Sequence, residues 1–143
     1  MRKNSAFTLI ELAMVALVFL AMIAILAPFV RMTKARANRI YCANNLRHIS
    51  LCLHKYALEH GNIFPKTLKD LCPTYITDQD VFDCPASKTI GTSDNPDYIY
   101  VAGLTEASSP KEIIVQDKDS NPKKQGNNTL RIDGAVEWAR EKR

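Results

Sequence analysis

The stretch from Phe7 to Val30, FTLIELAMVALVFLAMIAILAPFV, constrains this chain more than any other. From Leu12 to Val30 nothing ionises, and as a helix that run is about 28 Å long, close to the hydrocarbon thickness of a bilayer. It is long and apolar enough to span a membrane. Two residues set it apart from a plain anchor. Glu11 stands inside the apolar run, where an unneutralised carboxylate costs on the order of 2 to 3 kcal/mol. Pro28 near the far end removes one backbone hydrogen bond and predicts a kink or local melting. A secretory signal peptide explains the positive start but neither the length nor the internal Glu. A plain signal anchor explains the length and leaves Glu11 without a reason.

The span also limits the rest of the chain. There are 143 residues in all, so about 110 remain beyond the span, enough for one small domain and too few for a large enzyme. Lysine and arginine number 19 against 15 acidic residues, and without Arg2 and Lys3 the balance is 17 against 15. That near-balance carries no nucleic-acid footprint. Arg31, Lys34, Arg36 and Arg39 crowd the far side of the span, so charge alone leaves its orientation open. With no aromatic residues between them they suit lipid headgroups or acidic groups of neighbouring subunits better than DNA.

The segment from Arg31 to about His60 contains neither Gly nor Pro and continues the helix. Cys42, Leu46, Ile49, Leu53 and Tyr56 recur every three or four residues, which puts them on one face, the seat for a globular domain. Span and continuation together predict one helix of about 54 residues, roughly 80 Å long. Gly61 and Pro65 turn the chain, Thr67 to Leu71 can form a short helix that Pro73 ends, and a loop rich in turn residues comes next. Tyr98 to Val101, Ile113 to Val115, Thr129 to Ile132 and Ala135 to Trp138 are β-favouring runs. Asp133-Gly134 joins the last two as a hairpin signal. The fold class is α+β: a long N-terminal helix, half transmembrane and half amphipathic, packed by a small antiparallel β-meander.

Arg2, Lys3, a polar leader ending at Ala6, and Phe7-Thr8-Leu9-Ile10-Glu11-Leu12 together resemble the class III signal of type IV pilins and of type II secretion pseudopilins. The resemblance implies a leader of residues 1–6, a transmembrane helix over 7–30 and a periplasmic pseudopilin-like domain over 31–143. It implies cleavage by a prepilin peptidase between Ala6 and Phe7, N-methylation of Phe7, and assembly roles for Glu11 and Pro28. Ala6 departs from the pattern, which has Gly before the cut. The later CANNLRHISLCLHKYALEHGNIFP, VFDCP and NTLRIDGAVEW segments resemble a pseudopilin-like family with a Cys-x-x-Asn-Leu-Arg segment, a Cys-Pro and a terminal Asp-Gly hairpin. Lys123 stands where that family often has His.

Few residues offer chemistry. His48, His54 and His60 are six apart, so on a helix they point in three directions and cannot share a metal. No nucleophile, base and orienting group stand in supporting context, and no enzyme is read. Asp117, Asp119, Asn121 and Asn127 offer hard oxygens, and major pseudopilins hold calcium in a loop of this region. Asp117 and Asp119 are therefore the calcium candidates, set against an ordinary solvated turn. The Asn127-Asn128-Thr129 sequon is too short a match to carry an argument.

Four cysteines facing an oxidising periplasm allow three complete pairings. Cys42 and Cys52 lie roughly 15 Å apart on one helix, beyond the reach of a bridge. Because the chain reverses at Gly61 to Pro65, the expected pairs are Cys52 with Cys72 and Cys42 with Cys84.

The expected function is that of a structural subunit of a type II secretion pseudopilus or type IV pilus-like filament, held in the inner membrane as a single pass with its N-terminus cytoplasmic. Its expected partners are the prepilin peptidase, further pseudopilins in a helical filament, the inner-membrane assembly platform and membrane lipid. The alternatives are a pilin for adhesion or DNA uptake, and a monomeric membrane-anchored periplasmic binding domain.

Overall fold

The computed structural model describes residues 8–87, 89–118 and 126–139. The chain divides into two compact units, Met1–Arg36 and Ala37–Arg143. One helix, α1 (Leu9–Glu59, 51 residues), contributes to both. Pro28 lies inside α1 without ending it. The expected local melting is absent, and a turn later the Thr33 hydroxyl donates to the Phe29 carbonyl at 3.0 Å.

In the first unit every described side chain is exposed. From Leu12 to Val30 the helix is apolar around its whole circumference, and none of its most apolar 18-residue stretch is buried by protein. A helix of that kind is stable only inside a protein core or in lipid.

In the second unit α1 ends because the backbone turns left-handed. Gly61 has φ +68° and Asn62 φ +65°, while the Asn62 amide donates to the Ala57 carbonyl at 2.7 Å. Gly61 takes that conformation without a Cβ penalty, and Asn tolerates it better than most residues. Short 3₁₀ turns at Leu68–Leu71 and Gln79–Phe82 come after it.

Four strands complete the unit: β1 (Tyr98–Tyr100), β2 (Ile113–Asp117), β3 (Asn127–Arg131) and β4 (Val136–Ala139). They form one antiparallel sheet in sequence order, the meander expected from the turn signals. The last hairpin is wider than a two-residue Asp-Gly turn. Its strands stop at Arg131 and resume at Val136, and the Asp133 carboxylate accepts from the Ala135 amide at 3.0 Å to close the connection. β2 carries a bulge between Ile113 and Val115, so that Ile114 and Val115, adjacent in sequence, are both buried.

The core joins Cys42, Leu46, Ile49, Leu53 and Ala57 of α1 to Phe64, Leu71, Ile76, Phe82, Tyr98, Ile114, Val115 and Leu130. Ala57 replaces Tyr56 as the last fully buried residue of the helix face. Tyr56 is only half-buried and stacks on His60, ring centroids 3.8 Å apart.

Candidate functional site

At the head of α1 the Thr8 carbonyl accepts from the amides of Glu11 (3.1 Å) and Leu12 (3.2 Å). The Glu11 carboxylate reaches back, its Oε2 lying 3.4 Å from the Thr8 amide and 3.3 Å from the Thr8 hydroxyl. Thr8 and Glu11 are thus three apart in the T-x-x-E spacing of a capping box. A carboxylate there satisfies an otherwise orphaned amide and meets the positive end of the helix dipole. This role was legible in the sequence, since Thr8-Leu9-Ile10-Glu11 spells it. Ala6 and Phe7, the residues of the expected cleavage and methylation, lie outside the described residues.

The expected Cys42–Cys84 disulfide is present, Cα atoms 5.3 Å apart. Two asparagines flank it on α1, about one turn to either side. Asn38 Nδ2 donates to the Pro85 carbonyl at 2.8 Å and Asn45 Nδ2 to the Asp83 carbonyl at 2.9 Å. From the far side, buried Asp97 accepts from the Cys84 amide at 3.2 Å and from the Thr89 hydroxyl at 2.7 Å. The disulfide and these hydrogen bonds fasten the segment around Cys84 to α1 and to Asp97. Sequence reasoning missed Asn38, Asn45 and Asp97, because their partners are 8 to 47 residues away.

The second expected bridge, Cys52 with Cys72, is not formed; both carry free thiols. Buried Cys52 instead has its Sγ 3.3 Å from the Tyr75 carbonyl, as a donor. Burial raises the pKa of both thiols, and for Cys52 the neighbouring Lys55 works against that rise. Neutral thiols are poor nucleophiles for disulfide exchange.

Asp117 and Asn127 lie in strands, not in a loop, which corrects their expected setting. Asp117 is 6 % exposed. Its Oδ2 accepts from the Asn128 amide (3.1 Å) and side-chain Nδ2 (2.9 Å), and Asn128 Nδ2 also donates to the Arg39 carbonyl of α1 at 3.1 Å. The carboxylate therefore ties β2 to β3, and through Asn128 to the helix. Its Oδ1 is buried without a hydrogen-bond partner among the described residues. Burial pushes the Asp117 pKa up to about 6, against the lowering by its Asn128 hydrogen bonds. The orphaned Oδ1 is one hard oxygen, and calcium needs six to eight. Among the described residues no group of three or more acidic, His or Cys side chains that could hold a metal ion occurs. Asp119, Asn121 and Lys123 lie outside the described residues.

The histidines point apart, as their spacing requires. His48 is exposed, His54 Nδ1 meets Glu106 at 2.6 Å, and His60 Nδ1 meets the Tyr56 carbonyl at 2.8 Å. Arg31, Lys34, Arg36 and Arg39, beyond the apolar stretch, are all exposed, and Arg39 places its guanidinium 4.0 Å from the centre of the Trp138 ring. Arg39 thus packs on the sheet's last strand, a role its charge did not suggest.

Comparisons with protein-family models, with curated proteins and with solved structures give no match for this chain.

Proposed function

We propose that this chain is a membrane-anchored subunit of a pseudopilus or type IV pilus-like filament, processed at Phe7 and assembled through its N-terminal helix. The observation that carries the reading is α1 itself. From Leu12 to Val30 it is apolar on every side with its side chains exposed, whereas its later part seats a small domain on one face. A helix of the first kind needs lipid or other copies of itself around it, and a filament whose core is a bundle of such helices supplies the second. Glu11 suits both settings, since the capping box lowers the cost of its charge near the membrane edge. The function so read is mechanical, with no catalytic role, and the N-terminus lies on the side of the prepilin peptidase.

A solitary anchored binding domain is the competing reading. An open groove of about 390 Å³ rimmed by Lys66, Lys69 and Lys118 is the feature it would use. Two measurements separate them. Mass spectrometry of the membrane-extracted protein should find an N-methylated Phe7 terminus, and electron microscopy of sheared material from overexpressing cells should find filaments containing this chain. An intact Met1 terminus in cells that possess the peptidase, together with no filaments, would leave the binding domain as the better account.

A further inference from the structure

Directly opposite its buried face, α1 presents a stripe that is both apolar and basic. Ile40, Asn44, Arg47, Leu51, Lys55 and Leu58 recur every three or four residues, and at about 100° per residue they centre roughly half a turn from Cys42, Leu46, Ile49 and Leu53. Ile40 is 52 %, Leu51 71 % and Leu58 76 % exposed. Neither Arg47 nor Lys55 has a carboxylate partner among the described residues. Arg47 donates to Asn44 Oδ1 at 2.8 Å, and Lys55 lies 5.6 Å from the centre of the Tyr75 ring. Two large aliphatic side chains alternating with two uncompensated cations are a pattern that an apolar, acidic partner would complete.

The same unit holds the complementary charge. Thr77-Asp78-Gln79-Asp80, leading into the second 3₁₀ turn, is exposed throughout and contains two carboxylates. Neither forms an ion pair among the described residues; the Asp78 side chain accepts from the Asp80 amide at 3.0 Å. Next to them, on the buried side, Val81 and Phe82 anchor the turn in the core. Asn45 holds this segment through the Asp83 carbonyl, and Asn45 lies about 120° around the helix from Leu51. One molecule therefore cannot fold its own acidic turn onto its own stripe.

We propose that the stripe is the seat of a second copy of the chain, whose Asp78 and Asp80 dock on Arg47 and Lys55 while the contact covers Leu51 and Leu58. The contact joins two different surfaces, so it leaves an unused stripe at one end and an unused turn at the other. Such a heterologous interface does not close with two copies and propagates. The inference rests on the filament reading and adds to it which surfaces of neighbouring domains meet.

The test uses the full chain in its own membrane with a photoreactive benzophenone side chain placed at Leu51. Irradiation should join it to a second copy, and peptide mapping should place the link within residues 77–82. Reversing the stripe (Arg47→Glu with Lys55→Glu) or the turn (Asp78→Lys with Asp80→Lys) should each lower the yield about tenfold, and combining both reversals should restore it to within about twofold of the parent. Restoration separates a charge contact from simple misfolding. Links to lipid, to a different protein or to another segment of the copy would overturn the proposal, as would further loss in the combined variant. If filaments form while position 51 links elsewhere, only this interface falls. If the parent neither links to itself nor forms filaments, the filament reading falls with it.

Discussion

At the scale of single residues, Asp117 and Gly91 set the sharpest expectations. The folded pKa of Asp117 stands at about 6, above its ordinary 3.8. The folded state therefore binds the proton more tightly than the unfolded chain does. The protonated form's advantage is fully present below about pH 4 and is lost as pH rises through 6, a change on the order of 3 kcal/mol. Denaturant titrations across that range should show stability falling with rising pH, and Asp117→Asn should flatten the slope while raising stability at pH 7. An amide keeps an acceptor for Asn128 and removes the buried charge; an unchanged slope would assign the effect to another group. Gly91 makes a different demand. A Cβ there would lie 1.9 Å from the Phe82 carbonyl oxygen, a backbone atom that cannot swing aside. The Gly91 amide also donates to the Asp83 carboxylate at 3.0 Å, which fixes its position. Gly91→Ala should cost roughly 1 to 3 kcal/mol, read as a lowered denaturation midpoint. A midpoint within error of the parent would mean that the 89–91 segment moves freely.

At the scale of elements, the Cys42–Cys84 bridge closes 42 residues of chain between α1 and the segment that leads to the sheet. Loop-closure entropy makes such a bridge worth about 4 kcal/mol. Cys84→Ser should lower thermal stability by an amount of that order, and reduction of the parent should match it. Asn38→Ala with Asn45→Ala should cost less, about 1 to 2 kcal/mol, because each removes one hydrogen bond from the same fastening. Equal losses from both would mean that the asparagines fix the segment as strongly as the disulfide does. The elements were legible to different depths. The helix and the meander could be read because period and turn residues are local signals: the buried face of α1 follows its three-and-four spacing, and Asp133-Gly134 marks the last reversal. The bulge in β2 was not legible, since Ile113-Ile114-Val115 shows no alternation from which to infer a register. Nor were the ties from Asn128 to Arg39 or from Asn45 to Asp83, because a hydrogen bond across 89 or 38 residues leaves no periodic trace. The Cys52 and Cys72 expectation went astray for a related reason. Chain reversal brought the right segments together, but it is silent on the Tyr75 carbonyl that holds the Cys52 thiol.

At the scale of the whole molecule, the decisive residue is Glu11, which has two separable properties. As a capping residue it needs an oxygen acceptor three residues after Thr8, and Gln supplies one as Glu does. As a charge in an apolar run it needs a counter-charge, and in the proposed filament that is the Phe7 amine of the copy entering beside it. Glu11→Val removes both properties, and Glu11→Gln removes only the second. Both variants should enter the membrane at parental levels or better, since each takes a charge out of the apolar stretch that the proposed function places there. If pairing between copies is what Glu11 contributes, both should lose most of the sheared-filament fraction, and Gln should do no better than Val. If Glu11→Gln polymerises like the parent while Glu11→Val does not, capping of its own helix is the whole role of the residue, and the register of assembly must be set elsewhere along α1. If both polymerise like the parent, neither property matters for assembly, and the role of Glu11 in setting the register between copies falls.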